Sequence, residues 1–574
     1  MGIPYLTKHL LPYADSVLLG GGSDDQKLDE TPRVRSVVID GPSLVYHVYY
    51  RLLAWMSPVH DVLDVQPTCN EVSRAVVTCL LELHRQGIEI HKICFDGALP
   101  VSKRETRRAR IEKSRHRLEL SRRRAPTSSN EWRKEVILPP RQLWQGQNLP
   151  ARWRNLPENP FMVSAVFEDL RTRWNREQIL QETQCDPSHL PNGDYPWVEI
   201  TVMVPGEADV ECALVSKLTG SAILTNDSDL IVHDLGSHGS VVFLNSVQSV
   251  EDPEDTAHPK ISAMRLHPSD LAHRLGIINI PRFAYELNEN PHLGFSELLR
   301  RSKDNQEMTK NLEKYHHFLR EYQPDINRPL AVQGGTYGQN LDARVSELVW
   351  QYKLPDAFCE ADQPHIYLGI LFEDHSRRCA WELGRFYRTL GYSLLNQAHP
   401  RTRQFTTVYE FVRRGTRIIA EQIMLGGSKT VISDLSTLQK RLDLAQNVFG
   451  ADDQSTFWVM FAVAEIYRDP SSQTSLPSAV QLERFLTKGF LGQGTEWVDV
   501  HLLAQIHAVL YSLRMLQQLL RFLPDDDLLG SSRLILNSLP PLYSLLPSRR
   551  EIIQKFSIGQ LAHRSVYQLI TTYG

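Results

Sequence analysis

In the stretch VPGEADVECALVSKLTGSAILTNDSDLIVHD, running from Val204 to Asp234, Glu207 and Asp209 follow one apolar run, and Asp227 and Asp229 follow another. Two earlier apolar runs, SVVID (Ser36 to Asp40) and KICFD (Lys92 to Asp96), also end in an aspartate. A single aspartate at a strand end is as readily a turn former or a helix cap. Six carboxylates at one place are a different matter, because each raises the pKa of its neighbours unless a cation compensates. Hard oxygen donors in that density suit Mg2+ or Mn2+. Two such ions roughly 3.5–4 Å apart activate a water and stabilise the leaving oxygen of a phosphodiester. The residue types therefore point to paired-metal phosphodiester chemistry.

The elements that must position these acids are short apolar runs separated by helical patterns. SVVID, KICFD, WVEITVMVP, SAILTND and SVVFLNSV read as strands, with the helical pattern GEADVECALVSKL between the third and fourth. Strands alternating with helices predict an α/β fold with a mostly parallel sheet covered on both faces. Ligands of such sheets collect beyond the carboxyl ends of the strands, where Asp40, Asp96, Asp227 and Asp229 fall. Gly20 to Pro32 reads as a flexible acidic loop. Lys103 to Lys134, with KRETRRARIEKSRHRLELSRRR, reads as a basic helix running into a Pro- and Trp-rich excursion that lasts to about residue 195. After about residue 340, segments such as VYEFVRRGTRIIAEQIM and VDVHLLAQIHAVLYSLRMLQQLLRFL carry three- and four-residue apolar spacing and predict an all-α domain.

The chain has 574 residues, 42% of them hydrophobic, which exceeds the usual size of one domain. Its formal net charge is -4, so any preference for nucleic acid must come from a local patch rather than from the whole molecule. Seven cysteines without CxxC spacing favour reduced thiols in an intracellular protein over a disulfide framework or zinc module. The amino-terminal residues, broken by Pro4 and Pro12, make a poor signal peptide, and Leu6 stands where a myristoylation motif needs Ser or Thr. No apolar run approaches the roughly 20 residues that span a bilayer, which predicts a soluble protein without a membrane partner.

The ordered motifs MGI, VVIDG, CFDGALPVSKRETRRAR, GEAD and TNDSD resemble the flap-endonuclease/XPG superfamily of structure-specific nucleases, with its PIN-like fold. Within it the chain is most similar to the asteroid family, especially its fungal members. The resemblance covers about residues 1–300. It implies a PIN-like domain over 1–300, and the change in apolar spacing sets a linker over 301–340 and the helical domain over 341–574. It also implies that Asp40, Asp96, Glu207 and Asp209 hold one Mg2+ or Mn2+ ion and Asp227 and Asp229 the other. Lys103 and Arg110 match basic residues that touch the scissile phosphate, and a helical spacing of seven leaves both on one face. Tyr46 matches an aromatic that stacks on a base, Gly2 a residue that packs against substrate, and Arg104 and Arg107 extend the nucleic-acid-binding set.

The superfamily also supplies a seventh acid from a GSDY-like segment, followed by a helix-hairpin-helix that grips duplex DNA. Here the corresponding region reads LAHRLGIINIPRFAYELNENPHLGFSELLRR, with no aspartate after Asp270. Glu286, Glu289 and Asp234 are alternative ligands. Two functions follow from these residues. One is a Mg2+- or Mn2+-dependent, structure-selective endonuclease that cuts DNA near junctions, flaps or single-strand ends. The other is a nuclease-fold scaffold that holds nucleic acid, DNA or RNA, or a protein partner through its helical half. The run SRRRAP is compatible with nuclear import, and the resemblance implies a role in DNA repair.

Overall fold

The structure is a computed structural model that describes residues 3–21, 31–57, 61–123, 132–183, 185–250, 260–304, 306, 311–322, 340–359, 363–450, 454–469, 476–521, 527–557 and 561–573. Gly2, most of the Gly20–Pro32 loop, residues 124–131 of the basic stretch and much of the 301–340 linker lie outside the described residues.

The first half is organised on a nine-stranded sheet. Its strands are β1 (Asp15–Leu19), β2 (Arg33–Val34), β3 (Ser36–Asp40), β4 (Glu89–Asp96), β5 (Thr201–Val204), β6 (Ala222–Thr225), β7 (Ser240–Phe243), β8 (Gln248–Val250) and β9 (Lys260–Leu266). Their order is β2-β1-β9-β7-β6-β3-β4-β5, with β8 pairing to β9. The five strands β7-β6-β3-β4-β5 are parallel. Strand β9 runs antiparallel to both β7 and β1 and carries the sheet on beyond them. The mostly parallel α/β sheet expected from sequence is present, extended by antiparallel strands that the apolar pattern did not signal.

Alternate side chains of β3 feed two different cores, as a period of two requires. Val37 and Ile39 pack with Leu44, Val48 and Leu52 of the helix Gly41–Trp55 and with Val76 and Leu80 of the helix Cys69–Arg85. Val38 packs on the opposite face with Cys212, Ile223 and Phe283. The helix Cys69–Arg85 starts at a capping box in which Thr68 and Glu71 each bond the other's backbone N–H. The Pro/Trp-rich excursion contains a further helix, Met162–Thr172, whose Phe167 joins the first core edge-on to Phe95 of β4.

The C-terminal half is mostly helical, and its helix Trp497–Leu520 is buried at every residue from Ala508 to Leu520. It is not all-α. A three-stranded sheet, β10 (His365–Tyr367), β11 (Thr407–Arg414) and β12 (Arg417–Met424), crosses it in the order β10-β11-β12. The segment VYEFVRRGTRIIAEQIM, expected as a helix, is a β-hairpin. Its strands close at the Arg414–Arg417 pair around a two-residue turn whose Gly415 sits at φ +55. That glycine, with β-branched and aromatic residues before it and β-branched residues after it, is a hairpin signal that outranks the helical spacing.

The two halves share their interiors. Cys69 and Phe161 belong to the core of the C-terminal half, and Val500 to the core of the first. Buried Arg549 donates to the Leu63 carbonyl at 3.0 Å, and Arg514 reaches Glu168 at 2.5 Å. Inside the C-terminal half, Arg388 makes a bidentate pair with Glu410 at 2.6 and 2.9 Å, both side chains 1% exposed, and Tyr392 donates to the same carboxylate at 2.8 Å. Breaking a buried pair leaves one charge uncompensated, whereas replacing both partners does not. Glu410→Gln is therefore expected to lower unfolding stability by about 3–5 kcal/mol in a urea titration, and Arg388→Met/Glu410→Leu by clearly less.

Candidate functional site

Strand order decides where the carboxylates go. Strand β3 lies between β6 and β4, and β5 follows β4, so four parallel strands end at one edge. Asp40 ends β3 opposite Cys94, Asp96 ends β4 opposite Val204, and Ile39 pairs with Leu224 of β6. Glu207 and Asp209 open the helix Ala208–Thr219 just after β5, and Asp227 and Asp229 follow β6 in a short 3-10 turn. Residue 97 must be glycine, because a Cβ there would lie 2.1 Å from the Val204 carbonyl oxygen. That closeness lets the chain turn directly after Asp96.

Protein donors hold the acids individually. Asp40 accepts from the Ser43 N–H at 3.1 Å and from the Thr225 hydroxyl at 2.7 Å, and it caps the helix Gly41–Trp55. Asp96 accepts from the Ala208 N–H at 2.7 Å. Thr225 accepts from the Asp227 N–H at 2.9 Å, Asp227 from the Asp229 N–H at 3.0 Å, and Asp229 from the Ile3 N–H at 2.8 Å.

Burial and mutual repulsion disfavour the charged forms. Burial pushes Asp40 up to about 7; Thr225 and Ser43 pull against it, and Asp96 and Asp227 add to the rise. Asp229 is pushed up to about 6, by burial first and then by Asp227. Asp96 is raised by burial and by Asp227, against the Ala208 N–H, Arg107 and Arg110. Asp209 is held well above its ordinary value by burial and by Asp227, Asp40, Asp96 and Glu207. Asp227 is thus the charge that all four of these neighbours feel.

The six acids form one electrostatic unit, yet among the described residues no three or more His, Cys, Asp or Glu side chains converge closely enough to hold an ion as they stand. The hydrogen bonds give the reason, since oxygens on Asp40, Asp96, Asp227 and Asp229 are turned to protein donors. The donor chemistry fits a hard divalent cation, being all oxygen, partly buried and mutually repelling. Convergence would require some of those bonds to be exchanged.

Two cations flank the group. Lys103 Nζ lies 3.5 Å from Glu207 Oε1. Burial lowers the Lys103 pKa, but Glu207, Asp229, Asp209 and Glu321 outweigh it and raise the value. Arg110 acts on Asp96 from the other side. The helix expected to carry both begins at Arg104, with Lys103 as its N-cap at the end of a 3-10 turn. Tyr46 is 42% exposed and lines a cleft beside Asp96 together with Arg107 and Arg110. Arg104 and Arg107 are engaged with protein: Arg104 donates to the Tyr367 hydroxyl at 3.1 Å and lies over Phe411, and Arg107 lies over Tyr367.

Of the alternative ligands, Asp234 bonds Lys217 at 2.6 Å. Glu286 is buried in the helix Ile280–Glu289, beside Tyr285, which meets Tyr315 and Phe318 edge-on. None of Glu286, Glu289 or Asp234 is among the strongest influences on Asp40, Asp96, Asp209 or Asp229. Sequence reasoning missed Thr225, which stands inside the quoted SAILTND, Ser43, which lies two residues beyond VVIDG, and Tyr322, whose ring is 6.0 Å from Lys103 Nζ. Tyr322 has a raised pKa, from burial first and then from Asp229, Glu321, Asp227 and Glu207.

Residues 158–425 match the family described as "XPG domain containing". The match supports the XPG/PIN-like nuclease superfamily and a nuclease-like fold. This XPG-type span includes Glu207, Asp209, Asp227 and Asp229, begins beyond Asp40 and Asp96, and runs across the 301–340 segment into the hairpin of the C-terminal half. No curated protein matches the chain. Among the described residues no helix is long and apolar enough to cross a membrane.

Because Asn at position 227 would keep an acceptor for the Asp229 N–H while removing the shared charge, Asp227→Asn is expected to stabilise the cation-free protein. The gain is on the order of 1 kcal/mol, the worth of about one pKa unit, read by thermal unfolding in chelator. The same variant should gain less stability than wild type from added Mn2+.

Proposed function

We propose that the chain is a divalent-metal-dependent, structure-selective endonuclease that hydrolyses phosphodiesters of DNA near junctions, flaps or single-strand ends. The observation that carries this reading is the meeting of six electrostatically coupled carboxylates at the carboxyl edge of one parallel sheet, flanked by Lys103 and Arg110. Asp40, Asp96, Glu207 and Asp209 would hold one Mg2+ or Mn2+ ion, and Asp227 and Asp229 a second. Bound there, such ions supply Lewis-acid activation of water and charge compensation at the leaving oxygen. Lys103 and Arg110 stand where they can orient the phosphate and offset the charge that develops on it. Thr225 and the Ser43 and Ala208 N–H groups fix the directions of Asp40 and Asp96 before substrate arrives. The XPG-type match supports the superfamily, and the asteroid-like motif order belongs to the same proposal.

The absence of a preformed ligand cage among the described residues favours a second reading, a nuclease-fold scaffold that binds nucleic acid or a protein partner without turnover. The two readings separate in one assay. Flap, overhang and single-stranded substrates are incubated with wild type and with Asp227→Ala/Asp229→Ala in Mg2+ or Mn2+. The endonuclease reading expects cleavage at least about a hundredfold faster in wild type, the scale of losing a principal charge-stabilising group. Equal rates, or no cleavage by wild type, leave the scaffold.

A further inference from the structure

A cleft of about 260 Å³ adjoins the carboxylate group, with Tyr46 and Asp96 on one wall and Arg344, Glu347 and Tyr367 of the C-terminal half on the other. Its volume is just below the roughly 300 Å³ at which pockets for drug-sized ligands begin. That is room for one nucleotide and far too little for a base-paired duplex. The far wall is rigid. Arg344 donates to the Pro160 carbonyl at 2.8 Å, the Tyr367 carbonyl at 3.1 Å and the Tyr511 hydroxyl at 2.7 Å, which ties three elements together. Glu158 is also committed, accepting from Tyr50 at 2.5 Å, from Ser114 at 3.2 Å and from Arg117.

Three lining groups are left to meet a ligand. Tyr46 presents an uncovered aromatic ring, and Arg110 is an exposed cation. Glu347 is 3% exposed, and among the described residues its Oε1 has no hydrogen-bond partner, while its Oε2 faces Arg107. The Arg107 guanidinium, Nη2 at 3.7 Å, and the imidazole of His365, Nε2 at 4.0 Å and kept neutral by burial, stand too far for a hydrogen bond. A void of about 10 Å³ between Glu347 and His365 has room for at most one water. A carboxylate buried without a donor is costly, and the cleft is the side from which a larger donor can reach it.

We propose that Glu347 selects the base of a single unpaired nucleotide in this cleft by accepting from the amino group of that base, the base against Tyr46 and the phosphate on Arg110 being contacts that the family resemblance already implies. The inference rests on the reading of nucleic acid as the substrate. Stacking on an aromatic ring tolerates every base, so discrimination would come from Glu347. A carboxylate accepts from the cytosine amino group, whereas thymine and uracil present a carbonyl at that position and are disfavoured.

The test measures binding of fluorescent single-stranded oligo-dC and oligo-dT by anisotropy in chelator, where no cleavage intervenes. Wild type is expected to bind oligo-dC about tenfold more tightly. Glu347→Gln should bring that ratio close to one with unchanged thermal unfolding, and Tyr46→Ala should weaken both ligands about tenfold. Equal wild-type affinities, no binding of either oligonucleotide, or an equal loss of both in Glu347→Gln overturns the proposal. If Glu347→Gln does not fold, the wild-type ratio and Tyr46→Ala decide. A cleavage assay in Mn2+ keeps the two readings apart. Base-selective binding without cleavage removes the endonuclease and keeps the cleft, and cleavage without base selectivity does the reverse.

Discussion

Everything at the carboxyl edge of the sheet answers to one constraint, the repulsion among acids brought together by parallel strands. Placing β3 between β6 and β4 makes Asp40 the centre of the group, beside Asp96 at the end of the neighbouring strand and Asp227 in the turn after β6. The surroundings temper that repulsion locally. A hydroxyl and two backbone N–H groups steady Asp40 and Asp96, an N-terminal N–H steadies Asp229, and Lys103 lies against Glu207. The balance remains incomplete, as the raised Asp40, Asp209 and Asp229 attest. The group is an acceptor of positive charge by construction.

The basic helix connects this edge to the rest of the molecule. Its first turns divide their cations between two tasks. Lys103 and Arg110 act on the acids, Arg104 and Arg108 lie over Phe411 of the C-terminal sheet, and Arg107 does both, lying over Tyr367 while acting on Asp96. Farther along, Arg122 pairs with Asp374 at 2.7 Å. Much of what reads in sequence as a free polycationic arm is therefore a joint, with guanidinium groups stacked on aromatic rings and paired to acids. The C-terminal half packs against the first half and supplies a wall of the cleft next to Asp96.

The sequence made the central strands and all six acids legible because both depend on local pattern: short apolar runs, four of the five with carboxylates at or just beyond their ends. It did not reveal β1, β2, β8 or β9, whose pairing is settled by distant partners. The hairpin of β11 and β12 was hidden by residues that satisfy two periodicities at once, and Gly415 was its only local mark. Glu347 could not be found from sequence. It sits in SELVWQY as one more polar residue of an amphipathic helix, and only the packing of that helix against the cleft gives its carboxylate a setting. Thr225 was in plain view inside SAILTND, but its importance lies in bridging Asp40 and Asp227, which requires the strand order.

Strand β1 and the segment before it have a consequence for synthesis. Leu6, Leu10, Val17 and Leu19 are buried, yet the Ile3 N–H finds its acceptor 226 residues later and β1 pairs across to β9. Strand β2 pairs with β1 soon after it is made, but β9, the other neighbour of β1, emerges more than 200 residues later. Loop closure over that span is slow, and exposed apolar segments are prone to aggregate in the meantime. The amino-terminal arm is therefore expected to be the last part of the sheet to lock and the part most in need of a chaperone.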